Sequence, residues 1–347
     1  MNQKILQEDL EYILNDKCIQ WQKLVGCKLL VTGATGLIGS TLVKALLYAN
    51  RKLKLGLEVW CIVRDERKAE GVFAEEFANT SLHFLKTSME DPILCSKTFD
   101  YFIHGASPTA SAFFVEHPVE TMDTAYFGTR HLLEKAKQDA ARGFVYLSSM
   151  EAFGQVTEEH LLTEKDLGYV DLTNVRSSYQ ESKRICELLC KSYSSEYDLR
   201  TMSIRLAQTF GAGIPKDDKR VFAMMARCAI EGEDIVLMTK GNSRHSYLYT
   251  AQAVTAILCV LLSGEAGETY NAANPATYCS IYEMGKMVAE KIGYGKMSVR
   301  IQESSENKKY PPAGYLNLSV DKLSALGWKP TGTLADMYER MIHSMEN

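Results

Sequence analysis

Residues 28–40 read Lys-Leu-Leu-Val-Thr-Gly-Ala-Thr-Gly-Leu-Ile-Gly-Ser, and this stretch decides the fold of the 347-residue chain. A short apolar strand runs into three glycines, Gly33, Gly36 and Gly39, and a helix begins among them. Gly33 allows a tight turn, Gly36 lets the backbone approach a pyrophosphate, and Gly39 permits close packing of helix on strand. Because the helix N-terminus also favours an anion, the stretch predicts a dinucleotide site.

Strand and helix patterns alternate outward from this stretch. Apolar spacing predicts strands at 28–32, 57–63, 82–85, 101–104, 144–147 and 201–206, and helices at 37–50, 119–140 and 178–195. This alternation predicts an α/β fold, a Rossmann-type doubly wound parallel sheet with helices on both faces.

The flanking segments have other patterns. Residues 2–22 have helical apolar spacing, so residues 1–26 are predicted to form a helical appendage that packs onto the main domain or a partner subunit. Residues 27–210 form the predicted dinucleotide-binding domain. Short helices, a strand at 235–238 and turn clusters then predict a smaller, mainly substrate-binding C-terminal portion over 211–347.

Composition excludes several classes of function. The net charge of −4 predicts no basic face for a nucleic acid. The chain has no apolar run long enough to span a membrane, and its N-terminus does not have the pattern of a signal peptide. The nine cysteines are odd in number and form no C-x-x-C pair, which favours free thiols over disulfides or a metal site. These features predict a cytoplasmic protein.

Two further segments bear on the cofactor. Arg64 and Asp65 follow the second strand, where the adenosine ribose is expected. Arg64 suits a 2′-phosphate and favours NADP, whereas Asp65 suits the ribose hydroxyls of NAD, and both readings stay open. Gly105, Ala106 and Ser107 follow the fourth strand, where small residues let the backbone lie against the nicotinamide ribose.

A catalytic constellation follows the fifth strand. Tyr179 and Lys183 are four residues apart, so they share one face of a helix. The ammonium of Lys183 is predicted to lower the pKa of Tyr179, which then accepts a proton from a hydroxyl while hydride leaves the same carbon. Ser149 and Glu151 follow the fifth strand and are further polar candidates for this constellation.

These motifs resemble the extended short-chain dehydrogenase/reductase family, in its NAD-dependent epimerase/dehydratase branch, over about residues 27–340. The resemblance implies a hydrogen bond from Ser149 to the reacting oxygen and Glu151 at the sugar ring. NAD, a nucleotide-sugar substrate, and a homodimer formed through the helices at 119–140 and 178–195 are implied as well. It also implies cofactor contacts at Gly33, Thr35, Gly36, Leu37, Ile38, Gly39, Arg64, Asp65, Gly105, Ala106, Ser107, Tyr179 and Lys183.

The predicted substrate contacts are Ser149, Gln208, Arg220 and Arg244. Gln208 stands where the family usually has asparagine, and Arg220 lies in a stretch similar to the one near the substrate diphosphate. His245 occupies the position of an arginine that is thought to meet the sugar carboxylate in decarboxylases of the family, and Arg244 lies one place earlier. The fork of an arginine suits phosphate or carboxylate.

The resemblance implies oxidation of a sugar C4 hydroxyl to a 4-keto intermediate. The runs Ser149-Met150-Glu151 and 104–108 are most similar to those of UDP-glucuronate decarboxylases. A 4-epimerase needs no extra acid and is the alternative, while a 4,6-dehydratase would lack its acid because Met150 cannot donate a proton. Arg64 leaves an NADPH-dependent carbonyl reductase open. A nucleotide-binding regulator without turnover is disfavoured by the intact Ser149, Tyr179 and Lys183.

Overall fold

The structure is a computed structural model that describes residues 3–302 and 314–345. Its first sheet contains seven parallel strands, β1 (Lys28–Thr32), β2 (Glu58–Val63), β3 (Leu82–Lys86), β4 (Tyr101–His104), β5 (Gly143–Ser149), β7 (Thr201–Leu206) and β11 (Thr269–Ala272). They lie in the order β11-β7-β5-β4-β1-β2-β3. The order reverses between β1 and β4, which opens a crevice at their carboxyl ends. The predicted fold class is confirmed.

Helices cover both faces of this sheet, which explains why its strands read as continuous apolar runs. The helices are α1 (Gln3–Leu14), α2 (Leu37–Leu53), α3 (Glu66–Val72), α4 (Ser111–Glu116), α5 (Pro118–Gln138), α6 (Ser177–Tyr197), α7 (Val221–Glu231), α8 (Thr250–Ser263), α9 (Ile281–Met287), α10 (Asp321–Ser324) and α11 (Leu334–Met345). Within the described residues, none of them has the length and hydropathy required to cross a bilayer.

The helical spacing predicted over residues 2–22 extends further than the helix that the structure shows. The helix α1 ends at Leu14, and a short 3-10 turn covers Trp21–Leu24. The indole nitrogen of Trp21 donates to the Leu14 carbonyl (3.0 Å), and Asp16 accepts from the amide of Cys18 (3.0 Å), so local hydrogen bonds replace the helical ones. Residue 2 of the predicted segment lies outside the described residues. The helix packs on α2 and α8, so it contacts the main domain as expected.

Two further sheets lie mainly in the C-terminal half of the chain. A five-stranded sheet contains β6 (Leu161–Leu162), β8 (Gln208–Phe210), β10 (Arg244–Tyr249), β12 (Asn274–Ser280) and β14 (Tyr315–Leu318). A small sheet pairs β9 (Ile235–Leu237) with β13 (Val299–Ile301). Between β10 and β12 the chain returns to the first sheet as β11. The domain boundary at residue 210 stays a prediction, and residues 1, 2, 303–313, 346 and 347 of the predicted segments lie outside the described residues.

Candidate active site

The glycine turn after β1 forms a tight cradle. Gly33 has a φ of 71°, and a side chain there would place its Cβ 2.6 Å from the Gly105 carbonyl carbon. A Cβ on Gly39 would lie 2.8 Å from the carbonyl carbon of Gly33. Gly36 is exposed and caps α2, whose first-turn amides have no partner within the helix. The turn therefore has room for the pyrophosphate of a dinucleotide, and the contacts of its residues with a cofactor stay a prediction.

Buried hydrogen bonds fix the second wall of this cradle. The Oγ1 of Thr32 accepts from the amides of Gly105 (3.2 Å) and Ala106 (3.1 Å). With both lone pairs occupied, Thr32 donates its proton to Nδ1 of His104 (2.7 Å), and Nε2 of His104 donates to Thr129 (3.1 Å). Burial lowers the pKa of His104 to about 3. A neutral His104 thus holds the backbone on which a nicotinamide ribose would lie.

The residues after β2 leave the choice of cofactor open. Arg64 and Asp65 are both exposed where β2 ends beside β1. One carboxylate oxygen of Asp65 accepts from the amide of Lys68 (3.1 Å) and caps α3. Asp65 therefore has a structural task as well as the predicted one, and Arg64 remains at the rim of the crevice.

The structure brings the four predicted catalytic residues together at the carboxyl end of β5. Ser149 ends that strand, and its hydroxyl accepts from the amide of Glu151 (3.1 Å). Tyr179 and Lys183 face this end from α6, and the Ser149 hydroxyl lies close enough to the Tyr179 phenol to lower its pKa. The ammonium of Lys183 lies 5.5 Å from the centre of the Tyr179 ring and donates to the carbonyl of Leu147 (2.9 Å).

The pKa of Tyr179 is raised rather than lowered, contrary to the prediction. Burial raises the pKa of the Tyr179 phenol, and the charge of Glu151 raises it further, against smaller lowering effects of Ser149 and Arg176. Burial also lowers the pKa of Lys183 to about 8. Sequence spacing identified the shared helix face, but it did not reveal how far both groups are removed from water.

Glu151 has a partner that the sequence analysis missed. The guanidinium of Arg176 donates from Nη1 to Oε2 of Glu151 (2.8 Å) and from Nη2 to Oε1 (3.1 Å). Burial opposes the charge of Arg176, but its bonds to Glu151 outweigh this effect and raise the pKa of the guanidinium. Arg176 immediately precedes α6 and lies three residues before Tyr179. That position beside the tyrosine motif was the available signal.

The short helix α4 covers the tyrosine. The ring of Phe114 stacks on that of Tyr179, with centroids 4.2 Å apart and planes inclined by 10°. Nε of Arg176 donates to the hydroxyl of Ser111 (3.2 Å), and the guanidinium lies 5.8 Å from the Phe114 ring. Arg176 thus joins α4 to Glu151, and Phe114 explains much of the burial of Tyr179. No sequence motif pointed to either contact.

The predicted substrate residues lie in different settings. Gln208 is paired in register with Tyr247 on β10 and is half-buried. Arg220 is exposed, and its guanidinium donates from Nε to Oδ1 and from Nη2 to Oδ2 of Asp218. Neither contact tests its predicted role, so a sugar or diphosphate contact at Gln208 and Arg220 stays a prediction.

Neighbouring residues of β10 differ in what they face. Arg244 lies 3.2 Å from Glu159 and 3.1 Å from Glu283, two carboxylates outside the catalytic constellation. Burial lowers the pKa of His245, and the negative charge of Glu151 opposes this effect by raising it. Successive side chains of a strand point to opposite faces. His245, rather than Arg244, therefore faces the catalytic group.

Comparisons with known proteins agree with this geometry. A family model described as the NAD dependent epimerase/dehydratase family matches residues 29–273. UDP-glucuronic acid decarboxylase 1 of Xenopus tropicalis is 24% identical over 316 residues, which cover 91% of this chain and 71% of that protein.

Two solved structures have a similar fold. The UDP-glucose 4-epimerase of Thermotoga maritima, solved with UDP-glucose, has a TM-score of 0.75 and 21% identity, covering 91% of this chain and 98% of that one. The dTDP-glucose 4,6-dehydratase of Streptomyces venezuelae, with NAD bound, has a TM-score of 0.75 and 20% identity, covering 91% and 96%.

Proposed function

This chain belongs to the NAD dependent epimerase/dehydratase family, and we propose that it is an NAD-dependent enzyme that decarboxylates a UDP-linked uronic acid through a 4-keto intermediate. One observation carries the proposal: Ser149, Tyr179 and Glu151 meet at the carboxyl end of β5, with Glu151 paired to Arg176. Bound NAD supplies the hydride acceptor for oxidation at C4.

The first step uses the tyrosine and the serine. Tyr179 takes the proton of the C4 hydroxyl as hydride leaves the same carbon, and Ser149 hydrogen-bonds the oxygen as it becomes a carbonyl. Lys183 stabilises the phenolate transiently by its charge, because its ammonium lies 5.5 Å from the Tyr179 ring. Burial under Phe114 excludes water from this exchange.

The second step follows from the ketone. A carboxylate at C5 is in the β position to a C4 carbonyl, so the bond between C5 and the carboxyl carbon can break. Its electron pair moves into an enolate on the C4 oxygen, and carbon dioxide leaves. Loss of carbon dioxide consumes one proton, which Glu151 relays from solvent to C5, since 28% of its side chain is exposed and its charge acts on the phenol of Tyr179. The hydride would then return from bound NAD to C4, so that the cycle has no net oxidation.

A second candidate, 4-epimerisation of a neutral UDP-sugar, is favoured by His245. This residue stands where decarboxylases of the family are thought to use an arginine, and burial lowers its pKa and so disfavours its charged form. Epimerisation would need Ser149, Tyr179 and Lys183 but not a carboxylate partner. A 4,6-dehydration is disfavoured, because Met150 cannot act as an acid.

The identity of the cofactor distinguishes the proposed enzyme from a carbonyl reductase. Arg64 lies exposed after β2 and suits the 2′-phosphate of NADP, which would support an NADPH-dependent reduction of a carbonyl compound. A recycled cofactor stays bound, whereas a reductase must exchange it in each turnover. Identification of the nucleotide that stays with the protein through gel filtration separates the two. The predicted cytoplasmic location stays a prediction.

The proposed reaction is tested by mass spectrometry of the NAD-loaded protein with UDP-glucuronate. We expect a product that has lost carbon dioxide, and we expect Glu151→Gln to slow its formation about 10²–10⁴-fold while C4 oxidation remains. Reduced nicotinamide should then accumulate in the variant, since hydride is taken up and not returned.

Glu159→Gln is the matched control, because Glu159 pairs with Arg244 outside the catalytic constellation. It should retain the rate of the unmodified protein. If UDP-glucuronate keeps its carboxylate, decarboxylation is refuted, and a neutral sugar returned with altered stereochemistry would establish the epimerase. Unimpaired product formation by Glu151→Gln would remove Glu151 from the chemistry.

We also propose that the protein is a homodimer. The helices α5 and α6 pack side by side and leave apolar side chains exposed along them, Val119, Met122, Phe127, Ile185 and Leu188. Ile185 and Leu188 lie three residues apart and therefore share a face of α6. A second copy of the same pair of helices is the occupant expected of such a surface in a two-fold interface.

Leu188→Glu should convert the dimer to a monomer at micromolar concentration. Two leucines are lost per dimer by symmetry, which removes about 3–6 kcal/mol of apolar burial. Sedimentation velocity measures the change. Val236→Glu, a substitution of an exposed apolar residue on β9, is the control and should leave the dimer intact. A sedimentation coefficient of Leu188→Glu equal to that of the unmodified protein contradicts this interface.

A further inference from the structure

Among the residues that the structure describes, the charges near the candidate site leave one cation exposed beside Glu151. Arg205 is buried and bound to Glu187 (2.7 Å), and Lys183 is buried and bound to a main-chain carbonyl. Arg244 is held by two glutamates elsewhere. A substrate carboxylate near Tyr179 would therefore meet the negative charge of Glu151, which is unfavourable unless a cation is shared.

Arg176 has the position and the exposure to be that cation. About a third of its side chain is exposed (34%), as is 28% of the Glu151 side chain, so solvent reaches the pair. The charges of both residues act on the phenol of Tyr179. A carboxylate at C5 is bonded to the carbon next to C4, and the C4 oxygen is the one that Tyr179 addresses. Binding of the C4 oxygen at Tyr179 therefore brings the substrate carboxylate near Arg176.

Arg176 also has donors left for a second carboxylate. A guanidinium has five N–H groups. Glu151 takes one from Nη1 and one from Nη2, and Ser111 takes the one on Nε. Among the described contacts, the outer N–H on each of Nη1 and Nη2 is therefore uncommitted. These two groups point to opposite sides of the guanidinium, so one of them can donate a charge-assisted hydrogen bond to an oxygen of a second carboxylate.

We propose that Arg176 selects sugars that carry a carboxylate, with Glu151 as its permanent partner and the substrate carboxylate as its second. This inference rests on the proposed function for its substrate class. When carbon dioxide leaves, the second partner disappears and the neutral product loses that contact. Arg176 thus favours the substrate over the product and promotes product release.

Calorimetric titration of the NAD-loaded protein with UDP-glucuronate and with UDP-glucose tests the proposal. Tyr179→Phe serves as the background, so that binding is measured without turnover. We expect UDP-glucuronate to bind about 10–100-fold more tightly than UDP-glucose, as charge-assisted hydrogen bonds to one carboxylate imply. Arg176→Gln should abolish this ratio. Arg176→Lys, which keeps the charge but not the fork, should reduce it.

Arg300→Gln is the matched control, because Arg300 is an exposed arginine that pairs with Asp234 on the small sheet. It should keep the ratio, and all variants should bind UDP alone with unchanged affinity if they are folded. A ratio near one before substitution, or one that survives Arg176→Gln, overturns the proposal, and so does its loss in Arg300→Gln. If the ratio depends on Arg176 and no carbon dioxide is released, the proposed reaction fails and the selectivity of Arg176 stands.

Discussion

We expect Tyr179→Phe to lower kcat by about two to four orders of magnitude, the range typical of a lost general acid–base group. The substitution removes only a hydroxyl. The phenyl ring keeps its stack on Phe114, whose centroid lies 4.2 Å away, so α4 and α6 should stay in place. Ser149 alone cannot accept the proton that is lost from the C4 hydroxyl, because a neutral serine hydroxyl is too weak a base.

Product formation from UDP-glucuronate, followed by chromatography, measures this effect. Tyr193→Phe is a matched control, since Tyr193 lies on the same helix and its hydroxyl is bound to Glu134. That variant should lose about 1 kcal/mol of stability and retain its kcat. An unchanged kcat for Tyr179→Phe would show that another group moves the proton.

Gly39→Ala has the second largest expected effect. The added methyl group would lie 2.8 Å from the Gly33 carbonyl carbon and 2.9 Å from the Cα of Ala34, and closer still to the Gly33 carbonyl oxygen. All three atoms belong to the backbone, so no side chain can move aside. The turn must open, which costs about 3 kcal/mol or more, and we expect bound NAD to be lost.

Two measurements on the purified variants check this effect, the urea midpoint of unfolding and the NAD retained after gel filtration. Gly71→Ala is the control, because Gly71 is helical and a Cβ there has no atom within 4 Å. It should be neutral or stabilise the protein by about 0.5–1 kcal/mol. Retention of both midpoint and NAD by Gly39→Ala would contradict the tight packing of this turn.

The features that sequence could predict depend on local spacing. The three glycines and the alternation of apolar segments predicted the sheet, and β1, β4 and β7 begin and end where predicted. The four-residue spacing placed Tyr179 and Lys183 on one helix face. These inferences succeed because each depends on the geometry of a single element.

The features it missed depend on residues distant in sequence. Arg176 and Glu151 are 25 positions apart, and Phe114 is farther still from Tyr179, so only the folded chain brings them together. The pKa of Tyr179 was predicted in the wrong direction for the same reason. The early end of α1 depends on Trp21, whose indole binds the last turn, and apolar periodicity does not report such a bond.

The late position of β11 in the chain has a consequence for biosynthesis. β7 emerges from the ribosome well before Thr269–Ala272, its neighbour at the edge of the sheet. About 60 residues separate them, which at roughly 5–20 residues per second takes about 3–12 s. During that interval the nascent chain presents an apolar strand with a free edge, the feature through which chains pair with one another. The pace of translation through this stretch, and the chaperones that meet it, therefore influence the yield of native protein.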